Sequence, residues 1–254
     1  MKGAFLCLLI GCGCSSTEPA MPENESALCL TLKSNTSYSR LINESEYTQT
    51  GNYTVEVYDS KQQIFSELFK NLPLEKEMEP GDYSLKAHFG TNPAMAFDQM
   101  YVEGNTTFSI RQGELTHVNV QCVPANARVR VRTSADFDNY FSDYTINLKT
   151  KHIDAPFAYT KSDIKAEKDV YFKADAAGEE IRIELKLTAK NADDQVGALD
   201  QPIVRTLKPR EAVAITLKPK ATVVEGGQIT GVTITIDNGI TDENIDIIIP
   251  DEFI

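Results

Sequence analysis

The sequence predicts an all-β protein that consists of two antiparallel β-sandwiches in tandem. Many short segments alternate apolar and polar residues, which is the pattern of a strand with one buried face. No segment longer than about ten residues shows the 3.6-residue apolar period of an amphipathic helix. Because turn residues and not helices separate the strands, the pattern favours sandwiches over a parallel α/β sheet.

The N-terminal sandwich is predicted to span residues 27–123. Its first strand begins at Ala27, and Pro80 and Gly81 suit the central positions of a type II turn. A long connection, 90–105, carries several large apolar side chains, and such loops are either functional or packed by their own side chains. The other predicted segments are Tyr53–Tyr58, the ambiguous apolar run Ile64–Phe69, Leu72–Met78, Tyr83–Phe89, Thr106–Ile110 and Leu115–Cys122.

The domain boundary is predicted at Val123–Asn126, because Pro124 cannot donate a hydrogen bond to a central ladder. The C-terminal sandwich then spans 124–254. Only Ser162–Lys168 has the pattern of a helical turn. The predicted strands of this sandwich are Ala127–Arg132, Tyr144–Lys149, Val170–Phe172, Ile181–Thr188, Val213–Leu217, Ile229–Ile236 and Ile245–Ile249.

The N-terminal segment 1–11 is typical of a lipoprotein signal peptide. Lys2 precedes a short apolar run, Ala4–Ile10, which ends at Gly11 and Cys12. The run is too short to span a bilayer, since a spanning helix needs about 20 apolar residues. Cleavage after Gly11 would leave the thiol of Cys12 free to carry a diacylglyceryl group. An ordinary secretory signal or a misassigned start is the alternative.

A polar segment, 12–26, follows with two prolines and no periodicity, which is typical of a tether. We therefore expect a protein of the outer membrane or cell surface that contacts the membrane through its N-terminal lipid. Two or three acyl chains anchor stably where a single chain holds only marginally.

The net charge argues against nucleic acid as a partner. The chain carries a formal charge of −12, and removal of the signal segment takes away one lysine and no acid. Binding to phosphates requires clustered Lys and Arg, and a strongly negative protein repels an anionic polymer.

Cys14, Cys29 and Cys122 remain once Cys12 is acylated, and an odd number is a poor basis for a disulfide framework. Cys29 and Cys122 both lie in strand patterns, which favours buried thiols that pack as small hydrophobes. A bridge between Cys29 and Cys122 is the first alternative, and a metal or catalytic role is the second.

Several tracts resemble known surface proteins. Tyr53–Asp59, Leu72–Leu74 and Glu79–Ala87 resemble transthyretin-like or immunoglobulin-like sandwich domains. A longer pattern is similar to a family of two-domain lipoproteins, a domain of unknown function from anaerobic gut bacteria that is grouped with fimbrillin-like adhesins. The tracts of this chain that carry the likeness are Ala96–Asp98, Tyr101–Gly104, Phe108–Ile110, Val118–Cys122 and Ala125–Ala127. The resemblance implies display at the outer surface and no established catalytic residues.

Motifs of enzymes and metal sites are missing from the sequence. His88, His117 and His152 have no zinc-protease spacing, and no nucleophile elbow or phosphate-binding glycine loop occurs. The acidic pairs do not match a calcium loop, so solvated charge is the simpler interpretation. We therefore predict a protein that is not an enzyme and has no cofactor and no metal. The acidic pairs are Asp136 with Asp138, Asp193 with Asp194, and the stretch Asp237–Asp246.

Arg128, Arg130 and Arg132 alternate along one strand, which spaces their side chains about 7 Å apart on one face. Pairing with acidic residues of a neighbouring strand is one interpretation. A binding site for a protein or an anionic glycan is the other.

These patterns favour a lipid-anchored adhesin or a pilus-associated, fimbrillin-like subunit. In the pilus hypothesis, cleavage at Arg40 would remove the first strand, and the C-terminal strand Ile245–Ile249 of a neighbour would replace it. The alternative is that Ile245–Ile249 is the last strand of its own second domain. A carbohydrate-binding lipoprotein linked to glycan uptake is the alternative, with Tyr101, Tyr140 and Tyr159 as candidate stacking platforms because the chain has no Trp. The oligomeric state stays open.

Replacement of Cys12 by Ala should release the protein from the membrane fraction, because acyl chains and no basic patch supply the affinity. Fractionation of cells that express Cys12→Ala beside the unmodified chain measures this. Unchanged partition of the variant would contradict a lipid anchor.

Overall fold

A computed structural model describes residues 25–37, 45–189, 196–198, 202–220, 231–237 and 242–248. Strands dominate these ranges, with one short α-helix, α1, at Lys161–Lys165. This confirms the all-β class and the predicted helical turn, which a Thr160–Asp163 capping box begins. The strands of the first half are β1 Ala27–Ser34, β2 Thr54–Tyr58, β3 Gln63–Leu68, β4 Lys76–Glu77, β5 Gly81–Phe89, β6 Met95–Phe97, β7 Val102–Ile110 and β8 Leu115–Pro124. Those of the second half are β9 Asn126–Thr133, β10 Phe141–Lys149, β11 Phe157–Thr160, β12 Asp169–Lys173, β13 Glu179–Ala189, β14 Val196–Ala198, β15 Ile203–Leu207, β16 Ala212–Lys220, β17 Gly231–Asp237 and β18 Asp242–Ile248.

The first half folds its strands around one core, in the order β3-β2-β5-β7-β8-β1-β4. Strands β7 and β8 pair only at Val102↔Pro124 and Glu103↔Val123, so two layers meet at one corner. Gly104 lies at this corner, where an added Cβ would come within 2.7 Å of the Gln121 carbonyl oxygen. The inward residues of both layers form the shared core: Leu28, Leu32, Val55, Val57, Leu85, Ala87, Val118, Val120 and Cys122.

The second half places a sheet of β11-β10-β13-β14, with β15 also on β13, against a sheet of β18-β17-β16-β9-β12-β6. Residues that alternate along the facing strands are buried between the two sheets, as the sequence pattern predicts. The principal members of this core are Val129, Val131, Tyr144, Ile146, Leu148, Val170, Phe172, Ile181, Ile183, Leu185, Val213, Ile215 and Leu217.

The predicted strand Leu72–Met78 is wrong except at its end, where β4 covers two residues. Leu72 instead closes a 3-10 turn on Phe69, and Leu74 is 90% exposed. Pro73 explains the difference, because it has no N–H to donate to a ladder.

Among the described strands, two pairs are parallel, in contrast to the purely antiparallel expectation. β1 pairs with β8 from Ala27↔Leu115 to Ser34↔Cys122, and β16 pairs with β9 from Ala212↔Arg128 to Leu217↔Thr133. Parallel neighbours need a long crossover connection. The chain supplies it, because most of one sandwich lies between the two members of each pair.

The long connection 90–105 contains β6, which joins the sheet of the second sandwich. β6 pairs antiparallel with β12, and the Asp98 N–H donates to the Asp169 carbonyl at 2.8 Å. Met95 packs into the second core, while Met100 is buried in the first. The connection therefore inserts side chains into both cores, so its own apolar residues pack it, which is one of the two alternatives expected for a loop of this length.

The division into two domains stays a prediction. A single residue, Ala125, separates β8 from β9, and its N–H donates to the Tyr101 carbonyl at 2.8 Å. Tyr171 and Ala212 of the second half pack into the first core. The two halves thus share side chains as well as a strand.

Phe97→Ala should loosen the attachment of β6. The Phe97 ring lies 4.8 Å from Phe157 and 5.4 Å from Tyr159, centroid to centroid. Loss of these contacts should cost about 2–3 kcal/mol, below the range of a fully buried Phe→Ala change. Thermal unfolding followed by circular dichroism should separate into two transitions.

Phe108→Ala is the matched control, because Phe108 is also partly buried and stacks on Tyr83 at 5.5 Å within the first sandwich. It should lower the midpoint without separating the transitions. A Phe97→Ala variant that melts like the unmodified chain would contradict the role of β6.

Candidate functional site

The predicted arginine stripe lies on β9, and an acidic residue of β12 meets it. Asp169 is directly opposite Arg130, whose Nε and Nη2 both donate to the carboxylate. Arg128 Nη1 lies 3.5 Å from Asp169 Oδ2. The side chains of Arg128 and Asp169 are buried, whereas Arg132 is exposed. Of the three arginines, Arg132 is therefore the one placed to meet a partner.

Hydrogen bonds hold Asp169 in place from β6 as well. Its N–H donates to Asp98 Oδ1 at 2.8 Å, next to the backbone bond from Asp98 to Asp169. The hydrogen bond to the Asp169 carboxylate raises the pKa of Arg130 above its usual range. Asp169 of β12 thus binds β9 through its carboxylate, and it binds Asp98, just after β6, through its backbone N–H and carbonyl.

Burial also raises the pKa of two neutral groups. The Tyr159 hydroxyl accepts from the Val131 N–H at 3.3 Å and donates to the Lys168 carbonyl, and desolvation raises its pKa to about 12. Cys122 is buried in the first core, which raises the pKa of its thiol to about 11. Such a thiol is a poor nucleophile at neutral pH.

Cys29 and Cys122 are both free. Cys29 is level with His117 and Cys122 with Ser34 on the paired strands, which separates them by about 16 Å along the ladder. This distance excludes the bridge, since the Cα atoms of a disulfide lie within about 7 Å. The interpretation of a buried, packed thiol holds for Cys122, whereas Cys29 is only half-buried and lies outside the core.

The three histidines lie apart. His117 is exposed on β8, as predicted for an outer face. His88 is half-buried on β5, with Nε2 3.8 Å from Glu56 Oε1. His152 follows β10 and belongs to a cluster with Asp175 and Glu179, in which one ligand atom of each residue lies within 4.8 Å of the others.

A cluster of polar side chains surrounds Glu179. Glu179 begins β13 and is only 1% exposed, although it is an acid. Its Oε2 lies 3.3 Å from His152 Nε2 and 3.0 Å from Lys151 Nζ. Lys151 Nζ also lies 2.5 Å from Asp175 Oδ2, and this contact lowers the pKa of the Asp175 carboxyl.

Local backbone structure positions these side chains. The Lys151 N–H donates to Glu179 Oε1 at 3.1 Å, which holds the β10–β11 loop against the start of β13. The Gly178 N–H donates to the Asp175 carbonyl at 2.8 Å, and Gly178 has φ of 105°. A side chain there would be strained and would meet Thr206 Cγ2 at 2.7 Å.

A groove of about 850 Å³ adjoins the cluster. Basic and acidic side chains both line it, including Lys149, Glu180 and Arg182. The arrangement can bind a cation or a polar ligand that offers both donors and acceptors. The sequence did not reveal the cluster, because His152 and Glu179 are far apart in the chain and match no motif. The one available signal was Glu179 itself, an acid at a position that alternation assigns to a strand.

A second groove, of about 580 Å³, lies at the open edge of the first sandwich between β3 and β4. Ile64, Phe65, Met78 and Tyr83 supply its apolar wall, and Lys76 Nζ lies 5.4 Å from the centroid of the Phe65 ring. Within the described part of the chain, β4 pairs with β1 only at Ala27 and Leu28.

Other predicted residues have mixed positions. Tyr101 and Tyr159 are buried and cannot stack on a sugar, whereas Tyr140 is 38% exposed. Asp138 pairs with Lys165 at 2.5 Å and Lys161 at 3.4 Å, and the resulting hydrogen bond lowers its pKa. Cys12, Arg40, Asp193 and Asp194 lie outside the described residues.

Asp169→Asn should destabilise the fold strongly. The change leaves Arg130 and Arg128 beside an uncharged partner, and removal of one member of a buried ion pair typically costs about 3–5 kcal/mol. Denaturant unfolding followed by circular dichroism measures the loss. Asp136→Asn changes an exposed carboxylate in the β9–β10 loop and should leave the midpoint in place. Equal midpoints for the two variants would contradict the role of Asp169.

Several solved structures from Bacteroides and Parabacteroides species match this chain. A protein provisionally named as an adhesin from Bacteroides ovatus is 11% identical, with 91% of this chain and 98% of that chain covered and a TM-score of 0.47. A fimbrial assembly protein from Parabacteroides distasonis is 11% identical, with 87% and 98% covered and a TM-score of 0.44. A protein from Bacteroides thetaiotaomicron, provisionally named as polysaccharide binding, is 12% identical, with 90% and 99% covered and a TM-score of 0.44. At these scores the names describe the neighbours alone.

The comparison with proteins of curated function found no match. No helix among the described residues is long and apolar enough to cross a membrane. The model of one protein family, described as a domain of unknown function (DUF4493), matches residues 24–251. The chain therefore belongs to the DUF4493 family.

Proposed function

We propose that this chain is a lipid-anchored adhesin-like protein of the cell surface that carries mechanical load between its anchor and a bound partner. The observation that supports this most is the parallel ladder between β1 and β8. β1 is the strand nearest the N-terminal segment, and β8 leads through Ala125 into the second sandwich. The ladder thus joins the anchored side of the molecule to the side that would hold the partner.

The direction of pulling decides how this ladder is loaded. An anchor before Glu25 pulls β1 at its N-terminal end, and a load on the second sandwich pulls β8 at its C-terminal end. Because the strands are parallel neighbours, these forces slide one strand along the other and load every hydrogen bond between Ala27 and Ser34 together. Resistance to forced unfolding depends on the unfolding rate, which such a geometry lowers.

The sandwiches are also connected side by side. β6 extends from the first sandwich into the second, and Asp169 of β12 binds β9 through its carboxylate and Asp98, just after β6, through its backbone. Load that reaches β9 therefore spreads into the second sheet. A protein that only delivers a soluble ligand to an importer has no need of such a connection.

A pilus-associated role is the second candidate. Beyond Leu28, no strand among the described residues pairs with the outer edge of β1, and this edge could accept a strand from another molecule. The groove of Ile64, Phe65 and Met78 lies at the same edge of the sandwich. Processing at Arg40 and strand exchange stay predictions.

Adhesion under flow tests the proposed function. Bacteria that display the chain, and otherwise identical bacteria that lack it, are passed over printed glycans and immobilised extracellular glycoproteins while the flow rate is raised. Displaying cells should be retained on at least one surface to higher flow. Cells that express Cys12→Ala should behave like cells without the chain. Equal retention of all three strains on every surface would contradict the proposal.

A further inference from the structure

We propose that His152, Asp175 and Glu179 form a binding site for a divalent transition-metal ion, with Zn²⁺ as the best fit. The three residues bring one imidazole nitrogen and two carboxylates together, and Glu179 also lines the groove beside β13. Zn²⁺ in proteins takes this set of donors, and water commonly completes its coordination. The sequence carries no motif for this site, because the turn before β13 and the loop after β10 assemble it in space.

Two buried polar atoms are the strongest sign of a ligand. Glu179 Oε2 and His152 Nε2 are shielded from solvent and lie 3.3 Å apart. His152 Nε2 makes no hydrogen bond, and Glu179 Oε2 has the ammonium of Lys151 as its charged neighbour. Two donors of one tetrahedral zinc ion at about 2.1 Å lie about 3.4 Å apart. The spacing of this pair therefore already fits a shared ion.

In the structure, the ammonium group of Lys151 is the positive charge that pairs with the carboxylates of Asp175 and Glu179. Its Nζ lies 3.0 Å from Glu179 Oε2 and 2.5 Å from Asp175 Oδ2. The Lys151 side chain is 58% exposed, so it can leave the site for solvent at little cost. Glu179, which is 1% exposed, cannot follow it, and a buried carboxylate without a counter-charge is strongly unfavourable.

Charge balance favours exchange of Lys151 for a doubly charged ion. With Lys151 in place, the two carboxylates share one positive charge, whereas a divalent ion neutralises both. The Asp175 side chain is 48% exposed and can adjust its distance to the ion. Calcium fits less well, because it takes six to eight oxygen ligands and does not favour imidazole.

The turn Asp175–Gly178 positions the two carboxylates next to His152. Gly178 at φ of 105° reverses the chain between β12 and β13, which puts Asp175 and Glu179 on the same side. The Lys151 N–H bond to Glu179 Oε1 leaves Oε2 as the oxygen that faces the cluster.

Isothermal titration with ZnCl₂ tests the site on the untagged full chain, after iodoacetamide has blocked the accessible thiols. Lys151→Met removes the competing ammonium and should bind one Zn²⁺ at least tenfold more tightly than the unmodified chain. His152→Ala in the Lys151→Met background should weaken binding at least tenfold. His117→Ala in the same background changes an exposed histidine of β8 and should leave the affinity unchanged.

Three results would overturn the proposal. The first is a Lys151→Met chain that keeps its native circular dichroism but binds no Zn²⁺. The second is equal affinity with and without His152. The third is tighter binding of Ca²⁺ than of Zn²⁺ by the Lys151→Met chain, which would make the cluster an oxygen site.

Discussion

The parallel ladder between β1 and β8 is the constraint on which the rest of the first sandwich depends. It spans all of β1, from Ala27 to Ser34, and closes the layer that faces β2, β5 and β7. Leu28 and Leu32 enter the core through this pairing, opposite Val55 and Leu85. Without β1, the Val118 and Val120 side of β8 would lose the neighbour that covers the core beside it.

Connection of the two sandwiches relies on a polar contact beside an apolar one. Asp169 accepts hydrogen bonds from Arg130 and binds β6 through Asp98. A buried carboxylate is costly unless it is paired, and this one is paired with Arg130 and Arg128 of β9. The apolar part comes from Met95 and Met100, which occupy different cores. The polar and the apolar contacts together fix the position of the short strand β6. Its three residues alone would not form a stable strand.

Local patterns predicted the strands well because alternation reports which face of a strand is buried. Leu28, Val57, Val131 and Ile183 are buried as predicted, and the capping box at Thr160 begins the one helix near the predicted turn. Leu74 shows the limit of this approach. The alternation pattern predicts a strand at this apolar residue, but Leu74 follows Pro73 and is exposed.

Contacts between distant segments could not be predicted in this way. Nothing in the sequence of β1 states that its neighbour is β8, because pairing depends on the path of some eighty intervening residues. β6 was expected as part of a long loop, and three residues are too few to reveal a period. The cluster of His152 with Glu179 likewise depends on which loops the sheet brings together. The arginine stripe was visible, but its partner Asp169 could be identified only from the register of β9 and β12.

Single-molecule pulling in two directions tests the load-bearing account most directly. The chain is held by its two ends in one experiment, and by its N-terminus and a Gln112→Cys handle in the exposed β7–β8 turn in the other. The second geometry pulls β1 and β8 apart from their adjacent ends, Ala27 and Leu115, so the ladder opens one pair at a time. The account predicts a severalfold higher unfolding force for the first sandwich in the end-to-end geometry. Equal forces in the two directions would contradict it.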